Sequence, residues 1–234
     1  MNALLLAAGL GTRLRPLTDH TPKCLVEIDG VPLIDIWLSG LWEAGFKHFL
    51  VNTHHLSAKV ENHLSNHPLK SAINTVFEPE LLGTAGTVRQ NKEFCLEGTT
   101  LIAHADNFCL CDWKAFLQAH ATRPAGTVMT MMTFKTPTPQ SCGIVELDSR
   151  GVVQNFFEKH PNPPGDLANA AIYLVEPSVI QLLIEDHPAF TDISTELLPL
   201  LLGKINTWHN SDAVIDIGTP QSLQYARENH KVRK

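Results

Sequence analysis

Residues 4–17 read Leu-Leu-Leu-Ala-Ala-Gly-Leu-Gly-Thr-Arg-Leu-Arg-Pro-Leu, and Thr21-Pro22-Lys23 follow shortly after. An apolar strand therefore leads into a glycine-rich bend, with Arg13, Arg15 and Lys23 close behind it. Glycines let backbone N–H groups face a ligand, arginine offers a planar fork of donors, and lysine offers a mobile point charge. This combination predicts a binding site for a polyphosphate.

Two better-known phosphate-binding motifs do not match this segment. A dinucleotide-binding turn needs a third glycine at position 14, where the chain has Leu14. A P-loop needs Gly-Lys-Ser or Gly-Lys-Thr, and the sequence contains neither. A lone Gly-x-Gly would indicate an ordinary strand-to-helix turn, but the three cations favour a functional site.

Residues 9–18 and 22–25 read Gly-Leu-Gly-Thr-Arg-Leu-Arg-Pro-Leu-Thr and Pro-Lys-Cys-Leu. They resemble the opening motif of the sugar-1-phosphate nucleotidyltransferases, also called nucleotide-sugar pyrophosphorylases. One departure is Cys24, where the family usually has a second proline, and we expect it to change loop stiffness rather than chemistry. The resemblance covers the chain from Ala3 to about Ala226. It implies one nucleotidyltransferase domain over residues 1–226, a polar tail over residues 227–234, and no β-helix domain for acetyl transfer.

Composition narrows the class of protein. A chain of 234 residues that is 44% hydrophobic suits one large α/β domain or two small ones. The net charge of −6 predicts neither a nucleic-acid partner nor an anionic membrane surface. Five cysteines without zinc-site spacing indicate reduced thiols in a cytoplasmic protein, and no apolar run reaches the roughly 20 residues that span a bilayer. The oligomeric state stays open, a homo-oligomer included.

Strand and helix patterns alternate along the chain. This alternation predicts an α/β fold with a Rossmann-like, mostly parallel mixed sheet and helices on both faces. Residues Leu33–Ala44 have helical periodicity, and Gly45 can end that helix. Apolar runs at 142–147 and 152–157 flank a turn and predict an antiparallel hairpin. The family resemblance implies the nucleotide-diphospho-sugar transferase type of this fold.

Two aspartates are candidate magnesium ligands. Asp106 follows the predicted buried strand Thr100–Ala105, and ligands gather at the carboxyl ends of parallel strands. An isolated aspartate there would more often cap a helix. The segment Val214-Ile215-Asp216-Ile217-Gly218 resembles the family segment whose aspartate joins the first one on the metal. The resemblance thus implies Mg²⁺ on Asp106 and Asp216, with Arg13, Lys23 and Asp106 as the catalytic residues.

The resemblance also implies binding residues for both substrates. The nucleotide contacts would be Ala7, Ala8, Gly9, Gly11, Thr12, Gly83, Thr84 and Gly86, with residues 82–86 holding the nucleobase. The sugar-phosphate contacts would be Gly143, Glu158, Lys159 and Asn169. His160 replaces a family proline and Ala171 a family glycine. Without the resemblance, the first set would include an ordinary helix start, and the second would be solvated surface groups and a strand irregularity.

The reaction implied is nucleotidyl transfer from a nucleoside triphosphate to a sugar-1-phosphate. Residues 82–86, Leu-Gly-Thr-Ala-Gly, resemble the form found in guanylyl enzymes, and this resemblance implies guanylyl transfer to a mannose- or heptose-type phosphate. Thymidylyl or uridylyl transfer is an alternative, as are a non-catalytic sugar-nucleotide-binding regulatory subunit and a nicotinamide-dependent oxidoreductase, which Leu14 disfavours. His63 and His67 have the spacing of a helical metal pair, but no third ligand is evident in the sequence, so we interpret them as structural.

Overall fold

The computed structural model describes residues 1–229 and Lys231, which form two compact units. The first unit contains Met1–Leu81, Ala103–Leu110 and the chain from Asp212, and the second contains Leu82–Ile102 and Cys111–Ser211. The single domain predicted over residues 1–226 stays a prediction. The predicted tail over residues 227–234 overlaps the last helix, which continues through Asn229, and its residues 230 and 232–234 lie outside the described residues.

Strands and helices alternate along most of the described chain. The strands are β1 (Asn2–Leu6), β2 (Glu27–Ile28), β3 (Val31–Pro32), β4 (His48–Thr53), β5 (Ile73–Phe77), β6 (Thr100–His104), β7 (Phe108–Leu110), β8 (Met129–Lys135), β9 (Gly143–Leu147), β10 (Val153–Glu158), β11 (Leu167–Val175), β12 (Ile205–His209) and β13 (Ala213–Ile215). The α-helices are α1 (Leu33–Ala44), α2 (Ser57–Ser65), α3 (Gly83–Gln90), α4 (Lys92–Leu96), α5 (Trp113–Ala121), α6 (Pro177–Glu185), α7 (Leu198–Leu200) and α8 (Pro220–Asn229).

The sheet of the first unit is parallel where β1, β4 and β5 pair. β1 pairs with β4 from Asn2 opposite His48 to Leu6 opposite Asn52, and β5 pairs with the other edge of β4. Ala105, just after β6, donates its N–H to the carbonyl of Leu6. Because all five residues of β1 are buried, the apolar run of the sequence forms a core strand. The loop that follows β1 therefore begins at a strand that is held in the core.

Helix α1 has the predicted bounds. Gly45 ends it in the left-handed conformation, with φ of 105°, which glycine adopts without a steric penalty. Helical spacing with Leu38 and Leu41 predicts Trp42 on the buried face, but Trp42 is only half-buried and lies under the ammonium group of Lys47. The buried aromatic is Trp37, whose indole N–H donates to the carbonyl of Asn107. This bond ties α1 to the loop that contains Asp106.

The second unit is mainly antiparallel. β9 and β10 form the predicted hairpin, with Gly143 opposite Glu158, and β11 pairs antiparallel with β8. β12, which no sequence pattern predicted, pairs parallel with β8. The apolar pattern over residues 193–202 predicts one helix, but a π-helical turn over Ile193–Leu197 precedes the short α7.

The predicted mixed α/β class with a mostly parallel central sheet is confirmed, as is the antiparallel hairpin. Serine is a favoured capping residue, so Ser57 predicts a cap for α2, but this prediction is wrong because Leu56 occupies the capping position and no side chain caps the helix. Asp112 does cap α5, where its carboxylate accepts from the N–H of Ala115 at 3.0 Å. Within residues 1–229 and Lys231, no helix is long and apolar enough to cross a membrane.

Candidate active site

Lys23 lies between two carboxylates in the first unit. Its Nζ is 2.9 Å from Oδ1 of Asp216 and 3.2 Å from Oδ2 of Asp106. The Lys23 side chain is only 7% exposed, because the short turn Lys23–Leu25 turns it inward. The two aspartates, 110 residues apart in the sequence, therefore lie close enough to share one cation.

Arg13 completes this charged cluster on its exposed side. Its Nη2 lies 2.9 Å from Oδ2 of Asp216, so that each carboxylate oxygen of Asp216 faces a different cation. Partial burial of Asp216 raises its pKa, but Lys23 and Arg13 outweigh this effect and hold the pKa below the ordinary value. Asp216 is therefore ionised at neutral pH, and its carboxylate oxygens are suitable ligands for a metal ion.

Cys24, next to Lys23, carries no charge at neutral pH. Its thiol is 1% exposed, and burial raises its pKa to about 12, with a further contribution from the nearby charge of Asp106. The thiol is therefore protonated at neutral pH and takes no part in charge balance. This agrees with the expectation that cysteine in place of proline leaves the chemistry unchanged.

At three glycines the backbone passes close to the side chain of Asp106, Arg13 or Thr18. A Cβ atom on Gly9 would lie 3.1 Å from Oδ2 of Asp106, and one on Gly218 would lie 2.5 Å from Nη2 of Arg13. Gly11 has φ of +62°, and a Cβ there would lie 2.8 Å from the methyl group of Thr18. Gly11 is required, because its φ is positive and the buried Thr18 leaves no room, whereas at Gly9 and Gly218 the side chains of Asp106 and Arg13 would have to move aside.

The loop after β1 presents backbone amides to solvent. Gly9 and Leu10 are exposed and Gly11 is partly exposed, and none of their N–H groups donates to an acceptor among residues 1–229 and Lys231. Successive amides without an acceptor, just before Arg13 in the chain, are the kind of donors that can hold an anion. Ala7 differs, because its N–H donates to Oδ1 of the buried Asn52 at 2.7 Å. Ala8 is buried and Thr12 is exposed.

Asn52 anchors the start of this loop, and no motif in the sequence identifies it. Its amide group also donates to Oε1 of Glu78 at 3.0 Å, and both side chains are 2% exposed. The available signal was a polar residue that continues the apolar strand pattern of β4, since buried amides have partners.

Residues Gly83, Thr84 and Gly86 start α3 in the second unit. Gly83 has φ of +73°, and a Cβ there would lie 2.3 Å from the carbonyl oxygen of Thr191. The hydroxyl of Thr84 accepts from the N–H of Ile193 at 2.7 Å and donates to Asp192 at 3.3 Å. Gly86 is buried. Because the Thr84 hydroxyl is engaged in the protein, a flat ligand here would meet backbone and small side chains.

Gly143, Glu158 and Lys159 lie at one end of the hairpin. A Cβ on Gly143 would lie 2.4 Å from the Phe156 ring and 2.7 Å from Oε2 of Glu158, so only glycine fits. Lys159 has φ of 45°, and its side chain is 70% exposed. Its Nζ forms an ion pair with Oε1 of Glu158 at 3.6 Å, and the ammonium group stays open to solvent.

Asn169 is fixed by two hydrogen bonds on β11. Its Oδ1 accepts from the N–H of Ala171 at 2.9 Å, and its Nδ2 donates to the hydroxyl of Tyr173 at 2.7 Å. Burial raises the pKa of Tyr173 to about 12, so the hydroxyl stays neutral. Ala171 has φ of +53° at a register shift in β11, a conformation that favours glycine.

The candidate histidine pair has a partner that the sequence did not reveal. Nε2 of His63 lies 2.7 Å from Oδ1 of Asp35, and Nε2 of His67 lies 3.7 Å from the same atom. Nδ1 of His67 accepts from the N–H of Leu69, so the neutral ring carries its proton on Nε2. In the described part of the chain, no group of three or more His, Cys, Asp or Glu residues could hold a metal ion.

A family model for nucleotidyl transferases matches residues 2–232. The chain belongs to the nucleotidyl transferase family. The family prediction made from the Gly-x-Gly-Thr-Arg motif is therefore confirmed.

Curated relatives of this nucleotidyl transferase family member include mannose-1-phosphate guanylyltransferases. The catalytic subunit beta of Drosophila melanogaster is 33% identical over 201 residues, which cover 84% of this chain and 53% of the relative. The Mycobacterium tuberculosis protein is 29% identical over 228 residues, covering 95% of this chain and 62% of the relative. The chain thus spans between half and two thirds of the length of these curated relatives.

A solved structure supports the fold of this nucleotidyl transferase. It is described as a glucose-1-phosphate thymidylyltransferase from Bacillus anthracis in complex with a sucrose. The two chains superpose with a TM-score of 0.85 at 20% identity, over 100% of this chain and 98% of the other. The predicted nucleotide-diphospho-sugar transferase type of fold is confirmed.

Proposed function

We propose that this protein transfers a nucleotidyl group from a nucleoside triphosphate to a sugar-1-phosphate, giving a nucleotide sugar and pyrophosphate. The observation that carries the proposal is the buried Lys23, held between Asp106 and Asp216 next to a loop of free amides. A protein that only needed an ion pair would gain little from burying this lysine, because desolvation offsets most of the attraction. A site that must neutralise phosphates does gain from it.

The proposed roles follow from charge. A sugar-1-phosphate is mostly dianionic at neutral pH if its second pKa is about 6, so it needs no general base to attack the α-phosphorus. The barrier is the repulsion between two anions, and positioned cations lower it. We assign Lys23 to the reacting phosphates, and Arg13 with the amides of residues 9–12 to the departing pyrophosphate.

The donor set fits magnesium. Asp106 and Asp216 offer hard oxygen ligands around a point where a cation, the Lys23 ammonium, already lies. Mg²⁺ is commonly held by one or two carboxylates together with waters and substrate phosphates, so two aspartates are sufficient. When bound, Mg²⁺ would stabilise negative charge on phosphate oxygens. Lys23 and Arg13 would supply the remaining positive charge.

In the second unit, we assign residues 82–86 to the nucleobase and Gly143, Glu158, Lys159 and Asn169 to the sugar phosphate. Glu158 and Asn169 would hold sugar hydroxyls, and Lys159 would hold the phosphate. The guanylyltransferase names of relatives at 29–33% identity support guanylyl transfer to mannose-1-phosphate as the leading substrate pair. Five cysteines without a disulfide suit a reducing, cytoplasmic location.

A substrate matrix tests the proposal. Four nucleoside triphosphates are each combined with mannose-, glucose- and heptose-1-phosphate, with and without Mg²⁺, and pyrophosphate release is measured. We expect release that requires both substrates and Mg²⁺ and is fastest with GTP. If release is fastest with dTTP or UTP, the proposed reaction stands, but the nucleobase is thymine or uracil instead of guanine. No release from any pair, together with binding of a nucleotide sugar, would favour a non-catalytic regulatory subunit.

A further inference from the structure

Thr18 holds the carbonyl group of Gly11 in the anion-binding loop. Its hydroxyl donates to that oxygen at 2.7 Å, and the N–H of Leu14 donates to the same oxygen at 2.9 Å. Thr18 is 1% exposed, and its methyl group lies against Gly11, where a Cβ atom would not fit. The orientation of the Gly11 carbonyl is therefore fixed from inside the protein.

The fixed carbonyl also fixes an amide on the other side of the same peptide. In a planar trans peptide the C=O and the following N–H point in opposite directions. With the Gly11 carbonyl turned toward Thr18, the N–H of Thr12 points the other way. Thr12 is exposed, and its N–H has no acceptor among residues 1–229 and Lys231. The Thr18 hydroxyl thus sets the direction of an amide that is free to meet an anion.

Thr18 is itself held by the segment after β4. Nε2 of His55 lies 2.9 Å from the carbonyl oxygen of Thr18, and since a carbonyl only accepts, Nε2 carries the proton. The ammonium group of Lys59 on α2 donates to the carbonyl of His20. Two side chains from one region therefore brace the turn Leu17–Asp19 that carries the Thr18 hydroxyl.

We propose that Thr18, supported by His55, is a positioning residue for the pyrophosphate portion of the nucleoside triphosphate. The proposal rests on the proposed function, since it names how the loop of that site is held. Thr18 does not touch the ligand. It acts by keeping the Gly11–Thr12 peptide turned so that its amide faces phosphate oxygens, where small displacements weaken binding strongly.

A matched pair of variants tests this inference. Thr18→Val keeps the volume and loses the hydroxyl, whereas Thr18→Ser keeps the hydroxyl. For Thr18→Val we expect an approximately tenfold rise in the Kd of magnesium pyrophosphate and in the KM of the triphosphate that the wild type uses fastest. The KM of the sugar-1-phosphate should stay at the wild-type value. Thr18→Ser should restore pyrophosphate and triphosphate binding close to the wild type.

Calorimetry with magnesium pyrophosphate separates the two proposals. Wild-type protein that binds pyrophosphate without turning over any triphosphate would overturn the proposed function, and the Kd values would still decide on Thr18. A Thr18→Val variant that binds pyrophosphate as tightly as the wild type would overturn the positioning role. So would an equal rise in KM for both substrates, or a Thr18→Ser variant as impaired as Thr18→Val, because each indicates general loosening of the fold.

If Thr18→Val does not fold, a second pair of variants, at His55, tests the inference. His55→Gln keeps a donor near the position of Nε2, and His55→Leu removes it. We expect weaker pyrophosphate binding for His55→Leu than for His55→Gln, with the KM of the sugar-1-phosphate equal in the two. Equal pyrophosphate affinity in the two variants would overturn the inference.

Discussion

Replacement of Lys23 by methionine removes the cation that two carboxylates share and keeps most of the apolar part of the side chain. At distances of 2.9 and 3.2 Å, each contact represents roughly 5 to 6 kcal/mol of gross attraction at an effective dielectric constant near 20. Desolvation offsets most of this attraction. Removing one partner of a buried pair costs about 3 to 5 kcal/mol, and because Asp216 is half exposed to water we expect the lower value, about 3 kcal/mol.

The assay is thermal unfolding of Lys23→Met beside wild type and Lys159→Met. For a chain of this length, a loss of about 3 kcal/mol lowers Tm by roughly 6 to 12 °C. Lys159→Met is the matched control, since its ammonium group is largely exposed and its ion pair contributes little. A Tm of Lys23→Met within the change produced by Lys159→Met would refute the reasoning.

The same variant has a predicted dependence on pH and on metal. The folded-state pKa of Asp216 is depressed below 3.8, so its contribution to stability is present above that pH and is lost as the pH falls through the folded pKa. The stability difference between wild type and Lys23→Met should therefore shrink below about pH 4. At neutral pH, Mg²⁺ should raise the Tm of the variant more than that of the wild type, because it replaces the lost cation.

Three further changes give separate tests. Asp106→Asn should lower the rate of pyrophosphate release by about 10² to 10³, since the metal loses a charged ligand, and near-wild-type turnover would contradict the assignment. Lys159→Ala should raise the KM of the sugar-1-phosphate more than that of the triphosphate, and an equal rise would count against its role. Ala171→Gly should raise the free energy of unfolding by up to about 1 kcal/mol, because it relieves a positive φ, and a lower midpoint in urea would show that no strain exists there.

Local signals in the sequence were sufficient for much of the fold. Helix α1 was predicted with its observed bounds because its periodicity and the capping Gly45 lie within one short segment. The hairpin of β9 and β10 was predicted for the same reason. Strand β12 was missed, since its pairing with β8 joins segments about 75 residues apart. Trp42 shows the limit of periodicity, because a neighbouring lysine covers it.

In the candidate site too, local sequence signals identify some residues but not the contacts that hold them in place. Arg13 and Lys23 were identified from residue type and spacing after an apolar strand, and Asp106 and Asp216 gained their significance from the family resemblance. The sequence could not give the partners that hold these groups in place. The bond from Thr18 to Gly11, the bond from Asn52 to Ala7 and the pair of His63 with Asp35 all depend on how distant segments pack. Such contacts have no local pattern.

The buried thiol next to Lys23 has a practical consequence. A cysteine beside a lysine often has a lowered pKa, and its thiolate then reacts with electrophiles and with peroxide. Cys24 offers neither a thiolate nor an open approach, since its thiol is enclosed and holds its proton far above neutral pH. Covalent compounds aimed at the site around Lys23 would have to react with another residue. Oxidants would leave the Cys24 thiol unchanged while the protein stays folded.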